Sequence, residues 1–345
     1  MYSFNYSKIK KYNDPYIIAE IGVNHEGSLE NAKRLILSAK RGGAHATKFQ
    51  TYKAKKIASK NSPYYWDLKK EPTESQFELF SKYDHFNEHD YRTLAQFCKK
   101  NKIDFLSTPF DLESVDFLYP LMPAYKVSSS DITNYPLLEK ISSKKKPILL
   151  STGASSLEEI KNAVKIFKKK RITRLVIMHC ILNYPTENHD ANLRMIESLK
   201  KEFSEFLIGY SDHTLPDDKM QNLCSAYILG AKVIEKHFTI SKQLKGPDHT
   251  SSLEPQELNA MVKSIRNIEN ALGRGKKIVT HSEGINKKHV RKSIVALREI
   301  YEGEIFSEKN ITLKRPGTGL QPIHWYKIIG KKSKRNYKTD DFIND

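Results

Sequence analysis

Long apolar runs are missing from this chain. No stretch approaches the roughly 18 uncharged apolar positions that a membrane helix needs. The first residues, MYSFNYSKIKKYNDP, contain no apolar segment followed by small residues, the mark of a secretory leader. A cytoplasmic protein with no membrane partner is expected. Cysteine is scarce too. Cys98, Cys180 and Cys224 are odd in number and far apart, which argues against a disulfide framework or a zinc knuckle and fits a reducing compartment.

Acidic residues are outnumbered, 40 against 58 lysines and arginines, giving a net charge of +18. Much of the excess is scattered lysine, as at residues 144–146, 168–171 and 331–335. No aromatic-interleaved basic motif accompanies it, so the pattern describes solvated faces better than a nucleic-acid stripe. A positive field also assists the approach of small anionic substrates.

What is present is alternation. From residue 17, short apolar runs alternate with segments of helical period: IIAEIGVN then ENAKRLILSAK, continuing to KVIEKHFT then PQELNAMVKSIRNIENAL. Eight such units in roughly 255 residues match a (β/α)8 TIM barrel, an α/β fold whose active site gathers at the carboxyl ends of its parallel strands. The barrel is assigned to residues 1–275. A polar, glycine-punctuated linker follows at 276–289, and residues 290–345 read as a small β-rich domain.

Polar residues cluster where the strands should end. These positions carry Glu20, Lys48 with Gln50, Thr108, Lys126 with Ser128 and Ser129, Ser151, Asp212 with His213, and Glu235 with His237. A lysine inside an apolar run is costly to bury without an anion, so Lys48 and Lys126 call for one. Glu20 or Asp131 could serve as a structural partner. Alternatively, both lysines with the hydroxyls of Thr108, Ser129 and Ser151 would suit a phosphate and a carboxylate. The stretch from Ile208 to Thr250 is densest in possible metal ligands, with His213, Glu235, His237, Asp248 and His249. Two neutral imidazoles from neighbouring strand ends could hold a divalent cation; a capping or core-packing role is the plainer alternative. With only two imidazoles, such a site suits manganese or magnesium better than closed tetrahedral zinc.

The ordered set AEIGVNHEGS, TKFQTYKA, STPFD, YKVSSSDITNYPLL, STGAS, NYPTE, IGYSDHT, GAKVIEKHFT, GPDHTSS and KRPGTGL resembles the sialic acid synthase family over residues 16–343. That family ends in an antifreeze-like (SAF) module. The resemblance implies condensation of phosphoenolpyruvate with an N-acylmannosamine-like sugar, releasing phosphate and giving a nine-carbon 2-keto acid. N-acetylneuraminate is the first product to expect, and a legionaminic or pseudaminic acid is the alternative.

By the same resemblance, Lys48, Thr108, Lys126, Ser129, Ser151 and Ser211 line the phosphoenolpyruvate pocket. His213 and His237 hold a divalent metal, manganese first, with magnesium or cobalt possible, and Asp248 stands near its water. Glu20, Gln50, Asp131, Tyr184 and Glu235 face the sugar or the reacting carbons. Arg315 would reach a partner subunit's sugar in a domain-swapped homodimer. Asp131 replaces a longer glutamate, and CILNYPT departs from the usual pattern before Tyr184, so the sugar's identity is the open point. A non-catalytic polyanion-binding protein is the alternative of another class, and metal-dependent turnover would distinguish the two.

Overall fold

The computed structural model describes residues 4–11, 14–66, 68, 71–273 and 275–344. It divides into two compact units, residues 1–273 and 274–345.

The first unit is an eight-stranded parallel barrel. Its strands are β1 Tyr16–Gly22, β2 Ala46–Thr51, β3 Asp104–Pro109, β4 Tyr125–Val127, β5 Ile148–Ser151, β6 Leu175–His179, β7 Leu207–Asp212 and β8 Val233–His237. They are almost wholly buried, as expected of parallel strands covered by helices. Their hydrogen-bonded order is β3-β2-β1-β8-β7-β6-β5-β4, and β3 packs against β4 to close the ring.

Between strands the chain returns through amphipathic helices whose ends the sequence specifies. Ser28 caps Leu29–Gly42 by accepting from Asn31 N, and Gly43, at φ 97°, ends it in a left-handed conformation that a side chain would strain. Ser156 and Glu159 form a reciprocal capping box on Leu157–Lys169. The excursion between β2 and β3 carries two further short helices, Ala54–Ile57 and Gln76–Ser81, before Glu88–Lys100.

The second unit pairs β9 Ser293–Ala296 with β10 Ile311–Lys314 antiparallel, around a small core that includes Ile294, Ile300, Phe306, Ile311, Tyr337 and Ile343. Within and just beyond the stretch read as a linker, the structure has a helix, His281–Val290. Thr280 and Glu283 cap it, and it buries no residue. Its polar surface hid it, because helical period is read from an apolar stripe. Among the described residues no helix is long and apolar enough to cross a membrane. All three cysteines are buried and free.

Candidate active site

Alternation along a strand puts residues two apart on one face. Hence Lys48 and Gln50 of β2, and Glu235 and His237 of β8, all line one cleft at the carboxyl end of the barrel. The cleft is open to solvent, spans about 370 Å³ with part of the bulk solvent at its mouth counted, and also takes Glu20, Thr108, Lys126, Ser129, Ser151, Tyr184, Ser211 and His213.

Four charges meet at its base. Lys48 Nζ stands 2.9 Å from Glu20 Oε2 and 3.6 Å from Glu235 Oε1, and donates to Thr108 Oγ1 at 3.1 Å. Lys126 Nζ and Ser211 Oγ both donate to Glu235 Oε1 at 3.0 Å. None of the four charged residues is more than 5% exposed, so each depends on the others to remain ionised. Burial pushes the Glu20 carboxyl above its usual range, only partly offset by Lys48. Burial acts on Glu235 as well, but Lys126 and Lys48 together hold it well below that range. Two carboxylates in one site are thus driven apart in proton affinity. The Ser151 hydroxyl is buried and faces the Cys180 thiol on the cleft wall, without a full hydrogen bond among the described residues.

At Gly22, φ is +53°, and an added Cβ would come within 3.4–3.5 Å of Gln50 Nε2, Asp248 Oδ2 and Glu20 Oε1. Those are ordinary contact distances, so it is the left-handed φ, and not lack of space, that favours glycine here. Gln50 Nε2 donates to Glu20 Oε1 at 3.4 Å.

The imidazoles form the other half of the cleft. His213 and His237 have ring centroids 5.7 Å apart, and Tyr184 lies over His213 at 4.1 Å. The His213 Nδ1–H donates to the Ile181 carbonyl at 2.6 Å, which leaves Nε2 bare. His237 Nδ1 is buried without a hydrogen-bond partner, 3.6 Å from Asp248 Oδ2. Burial holds His213 at about 3 and lowers His237 as well. Both rings are therefore neutral, the form that binds metal. Among the described residues no group of three or more ligating side chains is found. The donor set fits a divalent cation completed by water or substrate oxygens, and not a closed structural site.

Other expected residues lie elsewhere. Asp131 sits on the turn Ser129–Asp131, accepts from Asn134 Nδ2 at 2.9 Å and does not line the cleft. The partner of Lys126 is therefore Glu235, and not the sequence-adjacent Asp131; Lys48 does pair with Glu20. Asp212 turns away to Lys236. His249 belongs to Thr239, whose hydroxyl is 2.8 Å from its Nδ1, and to Glu26. Arg315 is exposed in the second unit, just past β10. Sequence reasoning missed Phe110 and Cys180 on the cleft wall. Each is the first residue past a strand, a position that could have flagged it.

Residues 35–277 match the NeuB family profile, and residues 291–345 match the SAF domain. The chain is 44% identical to N,N'-diacetyllegionaminic acid synthase of Campylobacter jejuni, covering 95% of this chain and 98% of that one. It is 39% identical to the enzyme of the same name from Legionella pneumophila, covering 93% and 91%. Among solved structures, an N-acetylneuraminic acid synthetase from Leptospira borgpetersenii, in complex with citrate, superposes with a TM-score of 0.69 at 35% identity, over 79% of this chain and 90% of that one. Sequence, barrel and carboxyl-terminal unit agree: this chain belongs to the NeuB family and carries a SAF domain.

Proposed function

We propose that the chain is a nonulosonate synthase that condenses phosphoenolpyruvate with a diacetamido trideoxy aldose, giving a legionaminic acid and phosphate. One observation carries the reaction class. Two buried lysines and the buried Ser151 hydroxyl adjoin two imidazoles in a single cleft, which supports reading an anion pocket beside a metal pocket. The sugar choice rests on the two legionaminic acid synthases, more similar to this chain than the neuraminate-type structure is. N-acetylneuraminate, the first expectation from sequence, yields to the alternative.

In this reading Lys48, Lys126, Thr108, Ser129, Ser151 and Ser211 hold the phosphate and carboxylate of phosphoenolpyruvate. A divalent cation, manganese first, bound by His213 and His237 would act as a Lewis acid toward the sugar aldehyde. C3 of phosphoenolpyruvate bonds to the aldehyde carbon, water enters at C2, and phosphate leaves. Glu20, beside Lys48, steadies positive charge developing at C2 or positions that water. Tyr184, tilted over His213, walls the side where the sugar enters.

Phosphate release from phosphoenolpyruvate, measured with a panel of N-acyl aldohexosamines, tests both parts. The diacetamido trideoxy sugar should give the highest kcat/KM. Preference for N-acetylmannosamine overturns the sugar choice, and silence across the whole panel overturns the reaction.

A further inference from the structure

Directly behind the two imidazoles lies an ion pair whose residues do not line the cleft. Strands β7 and β8 run in register with Ser211 opposite Glu235 and Asp212 opposite Lys236. Ser211 bonds Glu235 on the cleft side, so alternation turns Asp212 and Lys236 to the other side, between strands and helices. There the Asp212 carboxylate and the Lys236 ammonium meet at 2.8 Å, each side chain 2% exposed. The residues that follow them are His213 and His237.

The pair is tied to the backbone carrying both rings. Asp212 Oδ1 accepts from Tyr210 Oη at 2.8 Å, from Thr214 N at 3.0 Å and from Thr214 Oγ1 at 2.8 Å. Lys236 Nζ donates to the Thr214 carbonyl as well. His213 is thus held between two residues clasped by one pair, and its own carbonyl accepts from Thr186 N at 2.8 Å. The carbonyl of His237 accepts from Leu253 N at 2.8 Å.

Stability alone does not account for such an arrangement. A buried ion pair is often no better than two apolar side chains of equal volume, because desolvation cancels most of the attraction. The neighbours of this pair along β7 and β8 include Ile208, Tyr210 and Ile234, all buried, so its two charges are held out of water at a cost. What an apolar pair cannot do is fix direction: four contacts on one carboxylate set the register and tilt of two strand ends together.

We infer that the Asp212–Lys236 pair is a positioning device that fixes the separation and orientation of His213 and His237 for a divalent cation. This rests on the reading of those two histidines as metal ligands. Outer partners that orient ligands typically contribute about 10- to 100-fold to metal affinity.

The test uses the full chain, stripped with a chelator and titrated with Mn2+, with free ion followed by its paramagnetic resonance signal. In Asp212→Asn/Lys236→Met both charges go while volume is kept. Its melting midpoint in chelator should stay near wild type, yet its Mn2+ dissociation constant should rise by about 10- to 100-fold. His237→Ala gives the baseline without a site. A folded double variant that binds Mn2+ as tightly as wild type overturns the inference. Wild-type chain that binds no Mn2+ overturns the metal reading, and the inference with it. Should the double variant not fold, Tyr210→Phe decides. It removes one donor from Asp212, and binding should weaken by about three- to tenfold; unchanged binding there overturns the inference.

Discussion

Lys126 Nζ and Glu235 Oε1 meet at 3.0 Å from β4 and β8, strands that are not neighbours in the sheet. The contact crosses the barrel lumen. It joins the face read as the anion pocket to the strand that bears His237.

Replacing Lys126 should therefore affect one substrate more than the other. Glu235 keeps Ser211 and the more distant Lys48, so Lys126→Ala should fold. A lost charged hydrogen bond, about 1.5–3 kcal/mol, corresponds to a fall of about 10- to 150-fold in kcat/KM for phosphoenolpyruvate. KM for the sugar should hardly move. Steady-state kinetics varying each substrate in turn gives the answer, and an equal loss for both substrates contradicts the assignment.

Chelation should abolish turnover, and Mn2+ should restore it, with Mg2+ or Co2+ compared alongside. His213→Ala should stay inactive whichever ion is added. Full phosphate release from metal-stripped enzyme would rule out the role given to the two imidazoles.

Acid should destabilise the barrel partly through His25. Its ring stacks on Phe86 at 4.2 Å, and its Nδ1 accepts from Gly27 N at 3.0 Å. Burial, with His85 nearby, holds it at about 4 against an ordinary 6.5. The folded value is the lower one, so this contribution is complete above the ordinary value and is lost as pH falls toward the folded one. The slope should reach up to about 1.4 kcal/mol per pH unit. In His25→Asn, urea unfolding should show a lower starting stability and a shallower fall between about pH 6.5 and 4. An unchanged slope would place the acid sensitivity elsewhere.

Gly209 should tolerate no side chain. An added Cβ would collide with Met178 Sδ and stand 2.8 Å from the Val233 carbonyl. Both neighbours lie on flanking strands, so relief requires the barrel to shift. Gly209→Ala should cost about 1–3 kcal/mol in an unfolding experiment. A melting midpoint equal to wild type would show that Met178 simply swings aside.

The sequence disclosed the barrel because each strand is a short apolar run with a polar ending, and because its helices carry their own caps. It disclosed the cleft residues at strand ends for the same reason: Glu20, Lys48, Ser151, His213 and His237 stand where alternation and strand length put them. Pairing was harder to read. Lys126 is 109 positions from Glu235, and only closure of the ring brings them together, whereas Asp131 is near in sequence and turned to Asn134. Asp212 and His213 are adjacent in sequence but not in orientation, because neighbours on a strand point opposite ways. The helix His281–Val290 escaped notice because it has capping residues but no apolar stripe.

One feature of the sheet bears on how the chain is made. β1 pairs with β2 on one side and with β8 on the other. On a ribosome adding about 5–20 residues per second, more than two hundred residues separate Gly22 from Val233, so the second partner arrives on the order of ten to forty seconds after the strand itself. For that interval Tyr16–Gly22, an apolar parallel strand, offers an open edge to any other nascent chain. Yield in a foreign host should therefore depend on temperature and chaperone supply more steeply than the stability of the finished barrel would suggest.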